Sequence, residues 1–182
     1  MSQTSILPGV LSPQKPSPWN KGQLYSSAST DWSTPQDLFD RLDEEFGFLL
    51  DACASAQNAK CEVYISEEQD CLVTEWGADR TSRATSVWMN PPWGRQIGRF
   101  IQRAYEQGRK HRMVVACLLP ACTDTKWWRD WVWKASEVRF VTGRLRFVRG
   151  DGHTGPSPKG AAVVVFTPWG EEGPPRVSLM DR

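Results

Sequence analysis

The chain has 182 residues, of which 40% are hydrophobic and 24% are charged, and its formal net charge is +1. This length allows one well-buried domain and is short for two, and the composition is typical of a folded globular protein. With no apolar run of about 18 residues and no basic-then-apolar leader, the sequence indicates neither a membrane span nor a secretory signal.

The two ends of the chain differ in character from its middle. Residues 1–30 are rich in Ser, Pro, Gln and Thr and show no sustained periodicity, which predicts a flexible N-terminal arm. An ordered domain is predicted over 31–166, and a loose C-terminal tail over 167–182.

The first predicted element is a helix that begins near Thr34. Thr34 is predicted to cap the helix, and Pro35 suits the first helical position. Leu38 and Leu42 then lie on one helical face, and Gly47 is predicted to end the helix.

Short strands follow this helix. Residues 48–51 form an apolar stretch that predicts a strand ending in Asp51, and 61–65 predict a second short strand. A further apolar strand, over 85–89, runs directly into Asn90.

The rest of the chain also alternates strands with helices. In order, the sequence predicts a helix from Ile97 that stops at Gly108, a doubly buried strand over 113–119, a Trp-rich helix over 127–132, a β-hairpin that turns at Thr142-Gly143, and a last strand over 161–166.

This order of elements predicts one α/β domain with a largely parallel sheet. In such sheets, ligands bind at the carboxyl ends of the strands. Asp51 ends one predicted strand and Asn90 follows another, so both are expected at that edge.

The segment Asn90-Pro91-Pro92-Trp93 carries the clearest chemical signal. The two prolines stiffen the turn, which directs the Asn90 side-chain oxygen, the Pro91 carbonyl and the Trp93 ring toward one point. Two acceptors and an aromatic plane suit a flat group that carries an amino group. Adenine fits, because its N6 hydrogens can go to the acceptors while the base stacks on the ring at roughly 1–3 kcal/mol. The alternative is a turn that merely ends a strand.

The charges are unevenly distributed along the chain. Residues 31–79 hold thirteen acidic against two basic side chains, whereas 80–150 hold fifteen basic against four acidic ones. The basic half suits a polyanion such as DNA. In the other interpretation, the two halves are solvated faces that neutralise each other.

The cysteines and histidines give no sign of a metal site. The five cysteines form no CxxC pair, and both histidines lie far from them in sequence. We therefore predict reduced thiols and no metal.

The Asn90–Trp93 segment resembles motif IV of the amino-methyltransferases, (Asp/Asn/Ser)-Pro-Pro-(Tyr/Phe/Trp). Over about 31–166 the chain is similar to the phage-type DNA N6-adenine methyltransferases, the Dam-like enzymes of phages and prophages. The segments that carry this similarity, besides motif IV, are Asp31–Pro35 with Leu38-Phe39, Leu50–Ser55 with Asn58–Cys61, Leu118–Ala121 with Thr123–Thr125, and Phe140 with Gly143–Leu145 and Phe147.

The resemblance implies a Rossmann-like, S-adenosylmethionine-dependent methyltransferase domain that modifies a flipped-out adenine in double-stranded DNA. It suggests GATC as the recognition sequence and the cytoplasm of a bacterial host as the location, and we expect no membrane, metal or obligate protein partner. The catalytic residues expected from it are Asn90, Pro91, Pro92 and Trp93.

The resemblance also implies a cofactor site. Thr34 and Pro35 are expected near the methionine end of the cofactor. A carboxylate among Glu67, Glu68 and Asp70 is expected to contact its ribose or adenine, and Asp70 matches the family best. The remaining cofactor-binding residues are Asp51, Ala52, Cys53, Ala54, Ser55 and Asn90, with Ala or Ser at positions where the family usually has Gly.

DNA contacts are expected from the basic half. Sequence-reading segments are predicted at 73–84 and 142–160. The side chains assigned to phosphate contact are Arg95, Arg99, Lys126, Arg129, Arg144 and Arg146.

Three alternatives stay open at this point. Trp93 is also compatible with an N4-cytosine methyltransferase. Protein-glutamine methyltransferases use a similar turn, although the basic half disfavours a protein substrate. A catalytically inactive DNA-binding protein is the third, and the intact motif argues against it.

Overall fold

The computed structural model of the chain describes residues 32–77, 86–149, 154–169 and 173–182. The predicted arm at 1–30 lies outside the described residues. The predicted reading segments at 73–84 and 142–160 are described only in part.

The described residues form a central sheet of seven strands. These are β2 (Leu50–Asp51), β3 (Val63–Tyr64), β4 (Ser86–Met89), β5 (Val114–Pro120), β6 (Glu137–Val141), β9 (Ala161–Phe166) and β10 (Arg176–Met180). Their order across the sheet is β10-β6-β9-β5-β4-β2-β3. Only β9 runs antiparallel to its neighbours, so the predicted α/β fold with a largely parallel sheet is confirmed.

A second sheet contains β1 (Trp32–Ser33), β7 (Arg146–Arg149) and β8 (Thr154–Pro156), in the order β1-β7-β8. The C-terminal hairpin of the predicted fold is formed by the antiparallel pair β7 and β8. The predicted hairpin around Thr142-Gly143 is wrong: the chain bends there, with a φ of 75° at Gly143, but β6 and β7 lie in different sheets and do not pair. Strand β6 has β9 on one side and β10 on the other, so neither of its edges is open to β7.

Strand β10 lies within 167–182, where a loose tail was predicted. It pairs in parallel with β6 over the whole of its length. The sequence signal was weak because four of its five residues are exposed, so the segment lacks the buried apolar pattern of the other strands. The strand is held mainly by backbone pairing at the edge of the sheet.

Three α-helices cover the described sheet: α1 (Gln36–Phe46), α2 (Ile97–His111) and the short α3 (Lys126–Asp130). A 3₁₀ turn at Val132–Lys134 follows α3, so the predicted Trp-rich helix is shorter than expected. None of the helices in these segments is long and apolar enough to cross a membrane.

Two of the four predicted ends of the long helices differ from the structure, while the start of α2 at Ile97 agrees with it. Helix α1 ends at Gly47, whose left-handed φ of 60° confirms that stop. The predicted Thr34 cap is wrong, because Pro35 is the N-cap and no side chain caps the helix. Helix α2 continues through Gly108 to His111. Gly108 instead allows α2 to pack closely against β5, since a Cβ at this position would lie 3.1 Å from Cγ2 of Val115.

Two hydrophobic clusters lie on opposite faces of the sheet. Successive residues of β5 alternate between them, as Cys117 and Leu119 face α2 while Ala116 and Leu118 face α1. This double burial explains the continuous apolar runs in the sequence. It also fixes the register of the central strands, and with it the positions of the loops at their carboxyl ends.

Candidate active site

The carboxyl ends of β2, β4 and β5 meet at one edge of the sheet. Asp51 pairs with Trp88, and Met89 pairs with Cys117, so Asn90 emerges beside Asp51. The structure therefore brings together the two residues that the sequence placed at this edge.

The amide of Asn90 is oriented by Thr34. Asn90 Nδ2 donates a hydrogen bond to Thr34 Oγ1 at 3.2 Å, and Thr34 is only 3% exposed. Because the nitrogen of the amide faces Thr34, the oxygen Oδ1 points away from it and accepts no hydrogen bond from the described residues.

The Pro91 carbonyl is the second acceptor. No backbone or side-chain donor within the described segments reaches it, whereas the next carbonyl, of Pro92, accepts the Gly94 N–H at 3.0 Å. Asn90 Oδ1 and Pro91 O thus offer two hydrogen-bond acceptors, one residue apart, to a ligand.

Trp93 is held in place on two sides. Its Nε1–H donates to the Leu118 carbonyl at 3.2 Å, and its ring meets Phe147 edge to face, with 5.4 Å between centroids. The side chain is half-buried and packs on both hydrophobic clusters. Leu118 and Phe147 lie in segments that resemble the family, but they were not predicted as site residues, because a backbone carbonyl and a buried aromatic ring give no chemical signal in the sequence.

Asp51 fixes the loop that follows β2. It is 2% exposed, and its oxygens accept the Cys53 N–H at 3.3 Å and the Lys60 N–H at 3.0 Å. Burial raises the pKa of Asp51 to about 6, although these two hydrogen bonds lower it in part. Since both oxygens have partners inside the protein, the carboxyl group shapes the loop, and its contact with a cofactor stays a prediction.

We expect the buried carboxyl of Asp51 to make stability depend on pH. Its folded pKa of about 6 exceeds the ordinary 3.8, so the stability it contributes is complete below pH 3.8 and is lost as the pH rises through 6. Relative to Asp51→Asn, the wild type should gain roughly 1 kcal/mol in free energy of unfolding from pH 7.5 to pH 5. Urea unfolding at both values measures the difference, and an equal pH dependence of the two proteins would contradict the assignment.

The rest of this loop is held by its own backbone. The Ala52 N–H donates to the Trp88 carbonyl at 2.9 Å, and the Ser55 N–H donates to Asn58 Oδ1 at 2.7 Å. Ala54 is bonded to the Ile65 carbonyl at 3.2 Å. The loop is therefore a defined surface of small residues beside Asn90.

Asp70 lies on a neighbouring turn and has an unsatisfied oxygen. It is fully buried and has a left-handed φ of 58°. Its Oδ1 accepts the Leu72 N–H at 3.0 Å, whereas Oδ2 has no partner in the described part of the chain. A buried acceptor left unpaired costs about 1–3 kcal/mol. Such a group suits a ligand that carries a hydroxyl or amino donor.

The Asp70 turn touches the loop after β2. Cys53 Sγ and Cys71 Sγ are 3.3 Å apart, which brings the two segments side by side. Of the other two candidate carboxylates, Glu68 is exposed and accepts the Ser66 hydroxyl at 2.7 Å, and Glu67 is half-buried. Burial and the unpaired oxygen single out Asp70.

The six predicted DNA contacts mostly lie on the surface. Arg99 is half-buried, and Arg129 pairs with Asp130 at 2.7 Å. The exposed ones are Arg95, Lys126, Arg129, Arg144 and Arg146.

Some charges of the acidic and basic halves do neutralise each other. Glu75 bonds to Lys110 and His111; burial opposes its ionisation, yet these bonds hold the pKa of Glu75 at about 2. Arg139 pairs with Glu45 at 2.5 Å. The described residues contain no group of three side chains that would hold a metal ion.

Most of the chain is similar to proteins of one family. The family model for DNA N-6-adenine-methyltransferase (Dam) matches residues 21–181. The DNA N-6-adenine-methyltransferase of Escherichia phage T1 is 32% identical over 152 residues, which cover 71% of this chain and 61% of the relative. That of Haemophilus phage HP1 is 31% identical over 142 residues, covering 75% and 78%. The chain thus spans about three fifths of the first relative's length.

A solved structure, that of a provisionally designated RNA methyltransferase from Pyrococcus horikoshii, aligns with 82% of this chain and 98% of its own. The TM-score is 0.48 and the sequence identity is 12%.

Proposed function

The chain belongs to the DNA N-6-adenine-methyltransferase (Dam) family, and on that premise we propose that it methylates N6 of adenine in double-stranded DNA. The observation that carries the proposal is the pair of acceptors, Asn90 Oδ1 and Pro91 O, beside the fixed ring of Trp93. This arrangement accepts both hydrogens of an exocyclic amine attached to a flat ring.

We further propose S-adenosylmethionine as the cofactor. The unpaired Asp70 Oδ2 suits a hydroxyl or amino donor of its nucleoside part, and the small residues Ala52 and Ala54 allow close approach to the backbone. Thr34 and Pro35 lie beside Asn90, where the methionine part is expected. When bound, the cofactor supplies a methyl group activated by the positive charge on sulfur.

The side-chain oxygen of Asn90 and the backbone carbonyl of Pro91 account for activation of the amine. The N6 lone pair of adenine is shared with the ring, which makes the nitrogen a weak nucleophile. Positive charge grows on N6 as the new N–C bond forms and the methyl group leaves the sulfur, so hydrogen bonds to Asn90 Oδ1 and Pro91 O become stronger in the transition state than in the ground state. The surplus N6 proton then passes to water. Alignment of the base by Trp93 lowers the barrier further.

Access to this site requires that the adenine leave the duplex, at a cost of a few kcal/mol. We propose that Trp93 receives the flipped base. The exposed basic side chains Arg95, Lys126, Arg144 and Arg146 are proposed to contact the phosphates, with Arg99 and Arg129 beside them. We propose that the protein acts in the cytoplasm of a bacterial host, because duplex DNA is found there.

Replacing Trp93 tests whether its ring must be held in a fixed position to stack on the base. Trp93→Phe keeps an aromatic face but loses the hydrogen bond to the Leu118 carbonyl. We expect kcat/KM for DNA to fall about 2- to 10-fold, which corresponds to the usual free-energy contribution of one hydrogen bond, and the cofactor Kd to stay unchanged. Steady-state kinetics with Trp131→Phe as the matched control measures this; equal effects in both variants would contradict the role.

The proposed function is tested by incubating the purified protein with tritiated S-adenosylmethionine and unmethylated duplex DNA. The DNA is then digested to nucleosides, and the labelled product is identified. Label in N6-methyldeoxyadenosine supports it. Label in N4-methyldeoxycytidine selects the cytosine alternative, and label in added protein instead of DNA selects the glutamine alternative. No transfer to any acceptor points to an inactive DNA-binding protein.

We keep GATC as the proposed recognition sequence, on the family resemblance alone. Two endonucleases test this directly: one cuts GATC only when its adenine is methylated, and the other cuts GATC only when it is unmethylated. If DNA treated with this protein carries methyl groups but is still cut by the endonuclease that needs unmethylated GATC, the GATC proposal is excluded.

A further inference from the structure

Thr34 lies at a junction whose backbone is fixed on both sides. The preceding residue, Ser33, pairs with Val148 in the small sheet. The following residue, Pro35, accepts the Phe39 N–H at 3.2 Å and so closes the first turn of α1. The Thr34 side chain is 3% exposed and does not cap the helix.

Among the described residues, the Thr34 hydroxyl has one hydrogen-bond partner, the amide nitrogen of Asn90, at 3.2 Å. An asparagine amide has a donor end and an acceptor end, and a half-turn of the amide group exchanges them. With the nitrogen on Thr34, the oxygen faces the site. After a half-turn, the NH₂ group would face the amino group of adenine, and two donors would meet.

We propose that Thr34 is a positioning residue that anchors the Asn90 side chain and so restrains its amide from turning out of the reactive position. The inference rests on the proposed function, and it differs from the cofactor contact that the family resemblance implies for Thr34. A hydroxyl in this position holds the amide nitrogen while both acceptors, Asn90 Oδ1 and Pro91 O, stay directed at the substrate.

The test compares Thr34→Val, which keeps the shape but loses the hydroxyl, with Thr34→Ser, which keeps the hydroxyl. We expect kcat to fall three- to tenfold in Thr34→Val, the cofactor Kd to change by less than twofold, and Thr34→Ser to restore kcat. A raised cofactor Kd with an unchanged kcat would overturn the proposal in favour of a cofactor contact.

A second background separates the bond to Asn90 from general packing. In Asn90→Ala there is no side-chain amide for Thr34 to hold, so Thr34→Val should lower kcat less in Asn90→Ala than in the wild type. An equal loss in the two backgrounds would mean that Thr34 acts through packing alone, which also overturns the proposal.

One readout is independent of activity. In ¹⁵N-labelled protein, the side-chain NH₂ protons of Asn90 should exchange slowly in the wild type and in Thr34→Ser, and faster in Thr34→Val. Equal exchange in all three would show that the bond does not hold the amide. A wild type that transfers no methyl group to DNA but shows this pattern would refute the proposed function and leave the contact intact.

Discussion

Asn90→Ala is expected to lower the rate of methyl transfer by about 10²–10³-fold, the usual cost of removing one preorganised group that stabilises transition-state charge. Alanine removes Oδ1, one of the two acceptors for the N6 hydrogens. The cofactor Kd should change little, and so should the fold, because within the described residues the side chain of Asn90 bonds to Thr34 alone. Single-turnover kinetics with saturating cofactor measures the effect on the chemical step.

Asn90→Asp is the matched control for this substitution. Aspartate keeps an acceptor toward the substrate, and the Thr34 hydroxyl can donate to its other oxygen. We therefore expect Asn90→Asp to retain far more activity than Asn90→Ala at equal thermal stability. If Asn90→Ala were as active as the wild type, the role assigned to Asn90 would be wrong.

Asp70→Asn is expected to weaken cofactor binding roughly 10- to 100-fold, because the unpaired acceptor Oδ2 becomes a donor that repels a hydroxyl or amino group of the ligand. Asparagine tolerates the left-handed backbone at this position, and its oxygen can keep the bond to the Leu72 N–H. Calorimetric titration with S-adenosylmethionine or S-adenosylhomocysteine measures the Kd.

The stability of Asp70→Asn should move in the opposite direction to its affinity. Without ligand, the substitution removes a fully buried carboxyl oxygen that has no partner in the described residues. The free energy of unfolding should therefore stay equal or rise. Glu68→Gln, at an exposed carboxyl, is the control and should leave both quantities unchanged. An unchanged Kd together with a loss of stability would mean that Asp70 is structural.

The sequence predicted the ends of the strands better than their partners. Asp51 ends β2 and Asn90 follows β4, and both strands are buried, so the hydrophobic pattern alone located these two residues at the carboxyl ends of the strands. The partner of β6 was not predictable in this way. Its free edge is taken by β10, a strand with four exposed residues whose pairing rests on the backbone and leaves no periodic signal.

Two single residues show why local rules mislead here. Gly108 matches a helix stop, yet α2 passes through it, and the glycine suits a position where a Cβ would lie 3.1 Å from Cγ2 of Val115 in β5. Thr34 and Pro35 match a helix start, but the Thr34 hydroxyl bonds to Asn90, a residue that is 56 positions away. In each case a tertiary contact decided what the residue does, and a window of a few residues does not contain that contact.

The charge pattern was informative only in part. Glu75 and Glu45 form ion pairs with basic side chains of the other half, in agreement with the interpretation that the two halves neutralise each other. Arg95, Arg144 and Arg146 are exposed, as the DNA interpretation expected. Counting charges along the chain does not separate the two groups, because pairing depends on which surfaces the fold brings together.

The central claim is that the Asn90–Trp93 turn holds the amino group of adenine. The most direct measurement is mass spectrometry of nucleosides from the DNA of a bacterial host that lacks adenine methylation and expresses either the wild type or Asn90→Ala. We predict N6-methyldeoxyadenosine with the wild type and its loss with Asn90→Ala at equal protein level. N4-methyldeoxycytidine with the wild type, or equal N6-methyldeoxyadenosine with both proteins, would contradict the claim.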